Sequence, residues 1–136
     1  NIDPEKISEA VGEKTEAIFI LHNIGNPCDS SLSWWSNKFT LLEDVCDALG
    51  SSNCGTWGAM SSFSFFAAHH ITTGEGGGLA VNDPQFVDKV NRLINWGRDC
   101  KCKPGQNNTC GKRFRHTIDG IPYDHKYILF YSNYPP

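Results

Sequence analysis

The sequence has no apolar run approaching the roughly 20 residues that a membrane-spanning helix needs, and nothing in it leads one to expect a secretory leader. It does not open on methionine, and the simplest expectation is a soluble piece of a longer chain. Positive charge is not in excess either. The 12 basic and 15 acidic residues leave a formal charge of −3, and the basic residues are scattered apart from a small group at Lys112, Arg113 and Arg115. Without a basic stripe to neutralise phosphates, nucleic-acid binding lacks its main driving force. Internal repeats and low-complexity linkers are missing too, and 136 residues are enough for one ordinary domain with a single core.

Cysteine, by contrast, is plentiful, with six in the chain. That number suits either a disulfide-linked secreted domain or an intracellular thiolate site. Three of them, Cys100, Cys102 and Cys110, fall together in "CKCKPGQNNTC". A disulfide framework spreads its cysteines over several elements, so the clustering favours a metal or iron–sulfur site. Asn107-Asn108-Thr109, in the same stretch, has the form of a glycosylation sequon, a pattern short enough to recur by chance.

Periodicity divides the rest into alternating elements. "NIDPEKISEAV" predicts a short helix capped by Asp3 and opened by Pro4, with Ile7, Ala10 and Val11 on one face. "AIFILH", residues 17–22, has the continuous apolar character of a strand covered on both faces. A helix is expected in "DSSLSWWSNKF", then a strand near 40–43 in "TLLED" that ends in two carboxylates. After the Gly- and Ser-rich stretch 50–62, "FSFF" predicts a strand at 63–66 and "GLAVN" another at 78–81. A helix over 84–96 follows, with Asp83 as cap, Phe86, Val87, Val90, Leu93 and Ile94 in helical period, and Gly97 as its end. Periodicity stops beyond Arg98. Alternating helices and buried strands imply an α/β layered fold, in which ligands gather beyond the carboxyl ends of strands.

Chemistry-bearing residues stand at those strand ends. Asp44 is either a cap or salt-bridge partner, or the anion that keeps a pyridinium nitrogen protonated. Ser64 is either an ordinary strand-end serine or a hydroxyl donor to a phosphate. His69 and His70 suit metal ligation, a hydrogen-bonded pair or a general base. "GEGGG" looks like a phosphate cradle without the spacing of a nucleotide loop.

The order of these features is more specific than any of them alone. "EDVCDALGS" after a buried strand, followed by "SFSFFAAHHITTGEGG", resembles the sugar-nucleotide branch of the fold-type-I pyridoxal-phosphate enzymes, the DegT/DnrJ/EryC1/StrS aminotransferase family. In its aminotransferases the position of His69 holds the lysine that binds the cofactor covalently. Histidine there, together with "WGRDCKC", "NTCGKRF" and "YDHKY", resembles the family's iron–sulfur 3-dehydrases, which act on CDP-4-keto-6-deoxy-D-glucose. The resemblance runs over roughly residues 1–127.

What the resemblance implies is specific. The fold would be α/β, a partial large domain of the fold-type-I (aspartate-aminotransferase-like) architecture, with a mixed sheet flanked by helices. Residues 1–97 would form part of the cofactor-binding large domain and 98–136 its Cys-rich loop segment. The domain's N-terminal part and the C-terminal small domain would lie outside the chain. The cofactors would be pyridoxamine or pyridoxal 5′-phosphate and a [2Fe–2S] cluster. His69 would be the catalytic base, Asp44 the partner of the pyridine nitrogen and Ser64 a phosphate ligand. Cys46, Cys100, Cys102 and Cys110 would hold the cluster, while Cys28 and Cys54 match no ligand. The reaction would be dehydration at C3 of a CDP-4-keto-6-deoxyhexose on the route to dideoxysugars of lipopolysaccharide O-antigen. It would be cytoplasmic and carried out by a homodimer, with electrons supplied by a flavin/iron–sulfur reductase. Two alternatives stand beside it: a cluster-free, colitose-type GDP-4-keto-6-deoxymannose 3-dehydratase, and a non-catalytic module holding zinc through Cys100, Cys102, Cys110 and a histidine.

Overall fold

A computed structural model describes residues 1–124 except Lys101 and Pro104. The chain divides into two compact units, Asn1–Pro84 and Gln85–Pro136. The last three residues of "YDHKY" lie outside the described residues, as does everything after them.

In the first unit, helix α1 spans Pro4–Ala10 as its punctuation predicts: the Asp3 side chain accepts the Glu5 N–H at 3.0 Å and Pro4 opens the first turn. A four-stranded sheet follows, in the order β1 (Ala17–Leu21), β2 (Thr40–Asp44), β3 (Met60–Ser64), β4 (Gly77–Val81). The β1–β2 and β2–β3 pairs are parallel and β3–β4 is antiparallel, which makes the sheet mixed. Ile7, Ile20, Cys28, Leu32 and Leu41 form the buried core, with Ile18, Trp35 and Trp57 packed against it. Each fully buried Ile or Leu stabilises by about 1.5–3 kcal/mol.

Three expectations change. The segment 30–37 is a 3₁₀ helix rather than an α-helix. Its serines account for this, because the Ser33 and Ser36 hydroxyls each bond the carbonyl three residues back, competing with the regular ladder. The third strand is Met60–Ser64, not 63–66. Its serines are accommodated because Ser61 Oγ bonds the Gly55 carbonyl at 3.0 Å and Ser62 Oγ the Glu43 carbonyl at 3.4 Å. Among the described residues β1 is covered on one face: Ile20 is fully buried while Phe19 and Leu21 are exposed.

In the second unit, a 3₁₀ turn at Pro84–Phe86 leads into helix α2, Val87–Ile94. The helix therefore starts later than Pro84, and the Gly97 N–H closes its end on the Arg92 carbonyl at 2.8 Å. Asp99 is buried and anchors this region through Arg92 at 2.8 Å and Arg115 at 3.4 Å. A hairpin of β5 (His116–Ile118) and β6 (Ile121–Tyr123) lies beyond the point where periodicity fails. Its Asp119-Gly120 turn has positive φ at both residues, the conformation that Asp-Gly favours in two-residue hairpin loops.

Candidate active site

Three parallel strands direct their carboxyl ends to one edge of the sheet, and the residues singled out by type stand there. Asp44 ends β2. Ser64 ends β3, two residues beyond the Ser62 that pairs with Asp44. The next turn carries His69, whose N–H donates to the Phe66 carbonyl at 3.0 Å. The adjacent histidines differ in setting: His70 is exposed, whereas His69 is partly buried and places Nδ1 2.9 Å from Asp47 Oδ1.

The two carboxylates at the end of β2 have separate tasks because successive side chains of a strand face opposite ways. Glu43 is fully buried. Its Oε1 accepts the N–H groups of Trp57 and Gly58, both at 2.7 Å, and its Oε2 accepts the Gly55 N–H at 2.8 Å and faces His22 Nε2 at 3.1 Å. The Cys28 N–H donates to His22 Nδ1 at 3.1 Å, so the ring hydrogen resides on Nε2 and points at Glu43. This network is structural, fixing the loop between β2 and β3. Asp44, on the other side of the strand, is half-buried, and its Oδ1 accepts the Cys46 N–H at 2.9 Å.

These groups suit a pyridoxal-type cofactor. Asp44 is a strand-end carboxylate available to a cationic ring nitrogen. Ser64 Oγ accepts the Phe66 N–H at 3.2 Å, which leaves the hydroxyl hydrogen for an anionic oxygen. The glycines of "GEGGG" have a different use. Gly77 belongs to β4, and a Cβ on it would come within 2.8 Å of the Phe63 carbonyl, so its bareness permits close strand pairing.

All six cysteines are free thiols. In the second unit Cys100 is buried, and burial pushes its thiol up. Cys102 goes the other way. The Thr109 hydroxyl donates to its Sγ at 3.2 Å and, with the backbone of Thr109 and Cys110, lowers its thiol to about 7. Thus the sequon threonine serves a sulfur. A cavity of about 440 Å³ adjoins these two cysteines, lined also by Asn91, Ile94, Trp96 and Gln106. In the first unit, burial and then the Asp44 carboxylate push the Cys46 thiol up to about 11.

For the cluster the fit is divided. Cys100 and Cys102 line one cavity of the second unit, the unit that also holds Cys110, whereas Cys46 belongs to the first unit. Among the described residues no group of three or more His, Cys, Asp or Glu side chains is assembled to hold a metal ion, whether iron or zinc.

Asp47, Glu43 and His22 were not singled out by sequence reasoning. For Glu43 and His22 the only sign was a polar residue inside or at the end of an apolar strand pattern. Asp47 looks like any turn aspartate.

The chain is similar to known proteins. The "Lipopolysaccharide biosynthesis protein RfbH" of Salmonella typhimurium is 42% identical over 98% of this chain and 33% of its own length. The dTDP-4-dehydro-2,6-dideoxy-D-glucose 3-dehydratase of Saccharopolyspora spinosa is 40% identical over 98% of this chain and 31% of its own. This chain thus spans about a third of the length of these relatives. The solved structure of Escherichia coli GDP-4-keto-6-deoxy-D-mannose-3-dehydratase with bound hydrated PLP is 34% identical, with a TM-score of 0.60 over 72% of this chain and 26% of that one. The mixed sheet is accordingly part of the fold-type-I large domain, as expected from the motifs. With residues 1–117 matching the profile of the DegT/DnrJ/EryC1/StrS aminotransferase family, the chain belongs to that family.

Proposed function

We propose that this chain is part of a pyridoxamine-phosphate-dependent enzyme that removes the C3 hydroxyl of a nucleotide-linked 4-keto-6-deoxyhexose. The observation that carries this reading is His69. It stands in the turn after β3, at the sheet edge where Asp44 and Ser64 end their strands, and where a lysine would anchor the cofactor. Imidazole cannot form that covalent link, but it exchanges protons near neutral pH. The cofactor, when bound, supplies an amine for the sugar ketone and an electron-withdrawing ring.

The chain's own residues do the rest. Asp44 holds the proton on the ring nitrogen, Ser64 donates to the phosphate, and His69 takes and returns a proton at the reacting carbon. RfbH, named for lipopolysaccharide biosynthesis and 42% identical, supports the O-antigen setting, and the CDP linkage of the sugar rests on the motif resemblance. Cys100, Cys102 and Cys110 are the proposed cluster thiolates of the second unit, and Cys46 is the fourth on its place in the motif alone. A cluster there would supply single electrons from a partner flavin/iron–sulfur reductase. A homodimer and a cytoplasmic setting go with this reading. Among the described residues no helix is long and apolar enough to cross a membrane.

The 34% identity to the solved GDP-4-keto-6-deoxy-D-mannose-3-dehydratase supports a second reading, the cluster-free dehydratase of that sugar nucleotide. Both readings require an unanchored cofactor. Borohydride added to the intact holoenzyme should trap no covalent cofactor–protein adduct, whereas His69→Lys should create one. Trapping in the unaltered enzyme would overturn both.

A further inference from the structure

His69 Nδ1 and Asp47 Oδ1 are 2.9 Å apart. A carboxylate only accepts, so Nδ1 carries a hydrogen, and in the neutral ring the lone pair falls on Nε2. Both partners sit on anchored backbone. The turn holding Asp47 is closed by the Ala48 N–H on the Val45 carbonyl at 3.0 Å, and both Val45 and Ala48 are fully buried. The Val45 N–H ties the turn to β3 through the Ser62 carbonyl at 2.9 Å. The Asp47 carbonyl lies against Gly25, where a Cβ would come within 2.8 Å. On the other side, the His69 ring meets Phe66 edge-on, with centroids 6.5 Å apart. The side chains are 22% exposed for His69 and 42% for Asp47, and pairs this open to water contribute little to stability. What the contact supplies is orientation.

We propose that Asp47 is a positioning residue for the reaction: it holds His69 as the Nδ1–H tautomer and so presents Nε2 as the nitrogen that takes and returns the proton. The proposal rests on the reading of His69 as the base. In the forward step a C–H bond of the reactant breaks, its proton joins Nε2, and the electron pair left behind is drawn off as the C3 hydroxyl departs. Nδ1–H stays on the ring, hydrogen-bonded to Asp47, whose charge offsets that of the imidazolium. No proton passes to Asp47. The end of β2 thereby serves two partners, with Asp44 for the cofactor ring and Asp47 for the base.

The test uses the intact polypeptide labelled with ¹⁵N-histidine, with the His69 ring assigned by loss of its signals in His69→Asn. The neutral ring should carry its hydrogen on Nδ1, and Asp47→Asn should shift the ring toward the other tautomer. In the holoenzyme, Asp47→Asn should lower exchange of the cofactor C4′ hydrogen with solvent about 10- to 100-fold, part of the 10²–10⁴ that a general base supplies, with cofactor content unchanged. Asp47→Glu should recover much of the loss. A hydrogen on Nε2 in the unaltered protein would overturn the proposal without recourse to any variant. Normal exchange in Asp47→Asn would remove Asp47 from the reaction and leave His69 as base. Absence of exchange in the unaltered holoenzyme would instead bring down the dehydrase reading, and this proposal with it.

Discussion

An imidazole can carry a proton but cannot anchor an aldehyde cofactor, and that single difference sets the expectations for individual side chains. His69→Asn should lower C4′ hydrogen exchange by about 10²- to 10⁴-fold while cofactor binding, proposed for Asp44 and Ser64, stays largely intact. Deuterium incorporation and a cofactor absorbance titration measure the two separately. The thiols make a second prediction, for the protein freed of any metal. Alkylation needs the thiolate, so Cys102, lowered to about 7, should approach its maximal rate by pH 8. Cys46, raised to about 11, should react slowly there and gain about tenfold per pH unit until the pH nears 11. Peptide mass spectrometry after timed labelling reads both, and equal rates at pH 8 would contradict the two environments. At this scale the sequence discloses what is chemically unusual, such as histidine before a glycine cluster. It conceals Asp47, which acquires meaning only when another loop brings His69 to it.

Elements depend on groups that the reaction never touches. The Glu43 carboxylate accepts three backbone N–H groups and faces His22, so it holds the loop that lets β3 begin at Met60. Glu43→Gln puts an amide donor among donors and should destabilise the intact protein by about 2–5 kcal/mol, measured by denaturant titration. A loss below about 1 kcal/mol would show that the loop has other support. This network also explains why the third strand is hard to place from its residues. "MSSFS" has little apolar alternation, and its pairing with β2 relies on serine hydroxyls finding the Gly55 and Glu43 carbonyls. The hairpin at 116–123 was missed for another reason: its Asp-Gly turn is a strong signal, but strands of three residues are too short to show a period.

For the molecule as a whole, the proposed reading turns on what the cysteine-rich second unit binds. If the cluster reading holds, the intact polypeptide purified without oxygen should contain iron and sulfide in equal amounts and absorb in the visible. Cys100→Ala should lose both, together with reductive turnover, while His69-dependent exchange persists in part because proton transfer does not pass through the thiolates. Full iron content and full reductive turnover in that variant would overturn the cluster. Zinc without sulfide would point to the metal module, and a colourless but dehydrating enzyme to the GDP-linked alternative.

The sequence by itself was enough for the family and the α/β class, and it singled out His69, Asp44 and Ser64 as candidates, because motif order and unusual residue types are properties of the linear chain. It also placed α1, β1, β2 and β4 closely, where apolar runs and caps are local signals. Only the tertiary structure decided that Glu43 turns inward while Asp44 stays at the edge, that Cys46 lies beside a carboxylate and Cys102 beside a hydroxyl, and that Asp47 meets His69. Each of these is a contact between side chains whose meeting depends on strand register and loop closure, and neither is written in the spacing of one segment.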